Sequence, residues 1–176
     1  MTKKGFILKL VSIQGRFMAL LLILIVGFIH SSSAQSIDDA SFEFNFMLDQ
    51  LDQAITKFVN GNAESFREMW SDSDHITIAG AFGGQIVKGN EEIQDRLSRV
   101  GSSYSETVFS TERITYGNDG RLGYLIQREC FNFFDNENVL TSTREYRVTM
   151  LFILESDGWK ILHRHADLST EWVGME

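Results

Sequence analysis

From Tyr104 to Asp167 the sequence keeps a period of two, and turn residues cut the stretch into four pieces. These read as strands near Tyr104–Tyr116, Leu122–Phe134, Ser142–Glu155 and Trp159–Asp167. Gly117-Asn118-Asp119-Gly120 and Asp135-Asn136-Glu137-Asn138 supply turns, and Ser156-Asp157-Gly158 supplies a tight hairpin connection. Strands joined by hairpins run antiparallel, and strands of this length must twist and curl. This part of the chain is therefore committed to a curled antiparallel sheet. The residues before it must cover one of its faces.

Those residues carry a different period. Phe44, Met47, Leu48, Leu51, Ala54, Ile55 and Phe58 recur at steps of three and four, the pattern of an amphipathic helix. Asn60-Gly61-Asn62 should end it, because glycine and asparagine tolerate the left-handed cap. A short helix is expected from Ala63 to Trp70. A small hairpin then pairs His75–Ala79 with Gln85–Lys88, and a third helix runs from Glu91 to Val100. Helices set apart from an antiparallel sheet define an α+β fold. Three helices across the concave face of a curled sheet make a cone with a pocket at its open end. Fourteen phenylalanines should make the core aromatic-rich, and 176 residues suit one domain.

The first 34 residues look like a separate, removable segment. Lys3, Lys4, Lys9 and Arg16 precede an apolar run from Phe17 to Ile29, which is short for a membrane span of ~20 residues. Ser32 and Ala34 satisfy the small-x-small rule, so the segment reads as a secretory signal peptide cleaved after Ala34. The alternative is a retained anchor. The expected layout is a signal peptide over 1–34, a domain over 41–168 and a tail over 169–176. The expected location is the periplasm or the extracellular space.

Cleavage sharpens the charge balance. The whole chain has 16 basic and 24 acidic residues; the leader holds four of the basic ones and none of the acidic, so 12 and 24 remain, a net charge of −12. Such a domain repels phosphates, which argues against nucleic acid and against stable association with an anionic membrane surface. Cys130, the lone cysteine, cannot form an internal disulfide, and within an apolar strand it reads as a buried thiol.

Four motifs, in order, resemble the SnoaL-like branch of the NTF2-like superfamily, which also holds ketosteroid isomerases and the association domain of calmodulin-dependent kinase. They are Gly61-Asn62-x-x-x-Phe66-x-x-x-Trp70-x-Asp72; Gly89 opening a helix with Glu92-Ile93; Arg147-x-Thr149; and Trp159-x-Ile161-x-His163-x-His165. With the first helix that precedes them, the resemblance covers Phe42 to Asp167. The resemblance implies the cone fold and a homodimer formed through the sheet. Many relatives end His-x-His-x-Ser, whereas Asp167 stands here, which removes any role for that hydroxyl.

Strict alternation places Trp159, Ile161, His163 and His165 on one face of the last strand, with Lys160, Leu162 and Arg164 on the other. His163 and His165, with His75 as a third ligand, would suit a zinc ion, but no further ligand motif accompanies them, so neither metal nor cofactor is expected. Arg147 lies in a strand with apolar residues on both faces, and it needs a partner. That partner is either an anionic or carbonyl-bearing ligand or a carboxylate from Glu129, Glu145 or Asp72. Trp70, Trp159, Tyr116 and Tyr124 are candidates for an aromatic pocket wall. The expected ligand-binding set is Trp70, His75, Tyr124, Arg147, His163 and His165. The expected function is binding of a small, partly apolar molecule. One alternative is an isomerase- or dehydratase-type enzyme using Asp72, Asp74 or His163 for acid–base work, with Tyr116 or Tyr124 as donor. Another is a dimeric interaction module without catalysis.

Overall fold

The computed structural model describes residues 40–169. The leader and its cleavage site, and the tail beyond Ser169, lie outside the described residues. Contacts divide the chain after Ala40, and the fold is that of the second unit. Its elements are helix α1 (40–58), helix α2 (Glu64–Glu68), strands β1 (Thr77–Ala79) and β2 (Val87–Lys88), and helix α3 (Asn90–Gly101). Four long strands follow: β3 (Thr107–Asn118), β4 (Leu122–Phe134), β5 (Leu140–Glu155) and β6 (Gly158–Leu168). The elements match the sequence periodicity in kind and order.

The six strands form one curled sheet in the order β2-β1-β6-β5-β4-β3. The four long strands make the expected antiparallel meander. The small hairpin adds to the far side of β6, and β1 runs parallel to it, with Thr77 opposite His163 and Ala79 opposite His165. The sheet is therefore mixed rather than wholly antiparallel.

Helix α1 lies on the inner face and buries Phe44, Leu48, Leu51 and Ile55 there, with Val59 just past its end. Phe44 meets Phe152 and Trp159 edge-on, at ring-centroid distances of 5.5 and 4.8 Å. Its ring also fills the space above Gly123, where a Cβ would come within 2.5 Å of Phe44 Cε2. Only glycine allows that approach.

Polar contacts fix the helix along the sheet. Arg113 of β3 donates to the Leu48 carbonyl at 2.8 Å and to Asp52 Oδ2 at 2.7 Å. Burial pushes the Asp52 carboxyl up, and Arg113 works against that shift. Beyond the helix end, Asn60 exchanges hydrogen bonds with the Thr107 backbone, donating to its carbonyl at 2.9 Å and accepting from its amide at 3.1 Å. Gly61 follows with φ +93°, the left-handed conformation that glycine enters without steric cost.

Candidate functional site

Strand β6 holds one residue more than its neighbour requires. Tyr146 pairs with Leu168, Val148 with Ala166 and Met150 with Arg164; the register then shifts, and Phe152 pairs with Ile161. Leu162 is the extra residue of a β-bulge, and a bulge reverses the alternation of everything beyond it. Trp159 and Ile161 face the core as expected, but on the far side of Leu162 the inward residues are Arg164 and Ala166. His163 and His165 face outward. The strict alternation expected from the sequence is corrected here.

The inner face, α1, α3 and the Gly80–Phe82 turn enclose a cavity of about 510 Å³. Its wall is aromatic. Phe131 sits edge-on to Tyr146 at 5.1 Å and to Tyr104 at 6.2 Å, and Tyr104 stacks on Phe133 at 6.0 Å. Phe58 and Phe66 close the helix side. Phe82 stands at the mouth, edge-on to Tyr146 and largely exposed. Burial and the neighbouring Tyr146 push the Tyr104 phenol up, against the pull of Arg144 and Arg164, so this hydroxyl remains a hydrogen-bond donor.

Three guanidinium groups interrupt the apolar wall: Arg96 of α3, Arg144 of β5 and Arg164 of β6. Arg96 occupies the space that a Cβ on Gly80 would take. Arg144 lies over two rings, its Cζ 4.8 Å from the Phe133 centroid and 5.5 Å from that of Phe82, both within cation–π range. Among the described residues neither Arg96 nor Arg144 has a carboxylate within ion-pair distance. Arg164 is different. Its Nη2 donates at 2.7 Å to Glu129 Oε2, on a side chain with 0% exposure, and Gln127 Nε2 donates at 2.9 Å to Glu129 Oε1. Arg164 Nε and Gln127 Oε1 remain without a hydrogen-bond partner among the described residues.

A family model for the SnoaL-like domain matches residues 48–169, which include every strand and most of the cavity wall. The chain belongs to the SnoaL-like domain family. Solved structures agree on the fold of this SnoaL-like domain. A proposed dehydratase of the NTF2-like family from Streptomyces avermitilis is 15% identical, with 76% of this chain and 98% of that one covered at a TM-score of 0.63. An NTF2-like protein of unknown function from Pseudomonas putida KT2440 is also 15% identical, with 77% and 91% covered at 0.63. The calcium/calmodulin-dependent protein kinase II hub of S. rosetta is 14% identical, with 73% and 96% covered at 0.55. No curated protein sequence matches the chain.

Within the SnoaL-like domain, four of the residues singled out from sequence, Tyr124, Arg147, His163 and His165, gather on the other side of the sheet from the cavity. Tyr124, Leu151 and His163 form one cross-strand row, Ile126, Thr149 and His165 the next, and Arg128, Arg147 and Asp167 a third. All three rows face outward. Arg147 is 70% exposed and reaches Asp167 at 3.7 Å, a partner outside the expected set. Asp167 also meets His165 Nε2 at 3.2 Å. His163 Nδ1 and Thr77 Oγ1 share a 2.7 Å hydrogen bond. Partial burial, then the nearby His165, hold the His163 imidazole below its ordinary range, against the Thr77 hydrogen bond. Asp72, Asp74 and His75 lie exposed before β1. Trp70 is buried edge-on to Phe66, a residue of the cavity wall, and does not itself line the cavity. Tyr116 is exposed near the end of β3.

Two cavity residues had readable signals. Arg144 shares the parity of Tyr146 and Val148, both core positions. The adjacent apolar pair Ile161-Leu162 breaks the period just where the bulge occurs. Removing one member of a buried ion pair strands the other, at a cost of about 3–5 kcal/mol. Arg164→Met should therefore destabilise the domain by about that amount in urea denaturation, and adding Glu129→Gln should recover much of the loss. Simple additivity of the two substitutions would show that the pair is not coupled as described.

Proposed function

We propose that this SnoaL-like domain binds a small, flat, largely apolar molecule that carries an acidic or carbonyl oxygen. Support comes from one observation: two guanidinium groups without carboxylate partners among the described residues, Arg96 and Arg144, stand in the wall of an aromatic cavity. The volume falls within the ~300–1,000 Å³ usual for small-molecule sites. A ring seats among Phe58, Tyr104, Phe131 and Tyr146, and its oxygen receives charge-assisted hydrogen bonds at the rim. The acid–base alternative has less support. Among the described residues the cavity wall contains no carboxylate and no imidazole, and Glu129 is paired with Arg164. Asp72 and Asp74 lie outside the cavity, and the dehydratase description belongs to a neighbour of 15% identity.

Calorimetry with 1-naphthoate and with uncharged 2-naphthalenemethanol tests the reading. The carboxylate should bind more tightly, and Arg144→Gln or Arg96→Gln should each weaken it about tenfold, as expected for the loss of a charged hydrogen bond of ~1.5 kcal/mol. Equal affinity for both compounds, unchanged by either substitution, would sink the proposal.

The outer face favours a second, compatible role. Leu122, Tyr124, Ile126 and Leu151 are exposed side by side on β4 and β5, an apolar patch that a second copy would cover. The kinase hub among the structural neighbours is consistent with such assembly. Sedimentation should report a dimer that Ile126→Lys converts to a folded monomer; a wild-type monomer at high concentration contradicts this.

Export completes the reading. The basic start, the Phe17–Ile29 run and the Ser32-x-Ala34 site support cleavage after Ala34. N-terminal sequencing of protein from its own host should begin at Gln35, and a chain still beginning at Met1 disproves cleavage.

A further inference from the structure

A second concavity lies apart from the aromatic cavity. Helix α1, helix α2 and the β5–β6 hairpin bound a groove of about 850 Å³, within the ~300–1,000 Å³ usual for small-molecule sites. It shares no lining residue with the aromatic cavity. Phe42 and Phe46 line its α1 wall and are 74% and 57% exposed. They stand one helical turn apart, so their rings are neighbours on one face of α1, and Glu43 adjoins Phe46 at a spacing of three. Neither ring belongs to the core cluster that Phe44 and Met47 join.

The groove is acidic. Glu43, Glu68, Glu155 and Asp157 line it against only Lys57 and Lys160. Both lysines are engaged. Lys160 Nζ meets Asp157 Oδ2 at 3.0 Å and donates to the Glu68 carbonyl at 3.1 Å, and Lys57 Nζ donates to Ser65 Oγ at 3.4 Å. Glu155 accepts from Ser71 Oγ at 2.6 Å. The Glu43 and Glu68 carboxylates have no cation within ion-pair distance among the described residues. A net charge of −8 over the whole chain reinforces the local field.

Trp159 supplies a third, independent signal. It lines the groove yet is only 5% exposed, and its Nε1–H has no acceptor among the described residues. A buried donor left unpaired is costly, and an oxygen on a guest removes that cost. We propose that this groove binds a small aromatic amine that carries a hydroxyl or carbonyl oxygen. Its ammonium is drawn to the Glu43 and Glu68 carboxylates and to the faces of the exposed rings, where charge attraction and cation–π contact act together. Its ring covers Phe46 and Met69, and its oxygen accepts from Trp159 Nε1. An anionic guest is repelled here and attracted to the arginines of the aromatic cavity, so the two concavities select opposite charges.

NMR titration of the full chain with L-phenylalaninol, which is cationic at neutral pH, tests the proposal. The comparisons are its uncharged N-acetyl derivative and phenethylamine, which lacks the oxygen. Phenylalaninol should bind several-fold more tightly than either and should shift the Trp159 indole N–H resonance, which Trp159→Phe identifies by removing it. Glu43→Gln and Phe46→Ala, both at exposed positions, should each weaken binding several-fold, and Arg144→Gln should leave it unchanged. Equal affinity for phenylalaninol and its N-acetyl derivative overturns the proposal, as does the absence of binding. An affinity that Arg144→Gln lowers also overturns it, by placing the guest in the aromatic cavity. Binding that leaves the Trp159 resonance unmoved, or a phenethylamine affinity equal to that of phenylalaninol, refutes the indole contact and the oxygen assigned to it.

Discussion

A carboxylate with no exposed surface is tolerated only when a cation meets it, and Glu129 is such a carboxylate. The cation is Arg164, which reaches from β6 across β5 to β4. It reaches inward only because Leu162 is bulged. With strict pairing Arg164 would face outward, His163 and His165 would fill the inner face, and Glu129 would lose its partner. The bulge and the ion pair are thus one device. The same bulge separates the apolar half of β6, where Trp159 and Ile161 pack on α1, from the half that faces the cavity.

The sheet presents two different surfaces. Inside, aromatic rings enclose a space into which guanidinium groups project, and two of these find no carboxylate among the described residues. Outside, cross-strand rows place Tyr124 and Leu151 beside His163, and Arg147 beside Asp167. Opposite charges there neutralise one another in water, where an exposed pair contributes at most about 1 kcal/mol. The Arg164–Glu129 pair on the inner face has stronger consequences, because it is shielded from water, whereas Arg144 at the rim is exposed.

Most of the architecture could be read from the chain because helix and sheet impose different periods on apolar residues. The four long strands, their hairpins and the helix carrying Phe44 to Phe58 follow from that alone. The site was legible only in part. That Arg147 and the two histidines, His163 and His165, lie on adjacent strands follows from the hairpin that joins β5 to β6. Their face was misassigned for two reasons. A single inserted residue inverts a strand's phase, and apolar residues such as Leu151 on the outer face imitate a covered surface. Arg96 escaped notice because its position depends on how α3 packs over Gly80, a tertiary relation with no local signature.

Phe44 seated above Gly123 has a consequence for how the cavity responds to an occupant. An aromatic ring keyed into a missing side chain prevents α1 from sliding along the sheet, and Arg113 and Asn60 hold the helix further along its length. The distance between the helix and the β4–β5 wall is thereby set before anything enters. A guest meets a rigid frame, so little backbone freedom is lost when it arrives, and more of the contact energy is expressed as affinity. Adaptation falls to the side chains at the rim, where Arg144 can turn against its two rings.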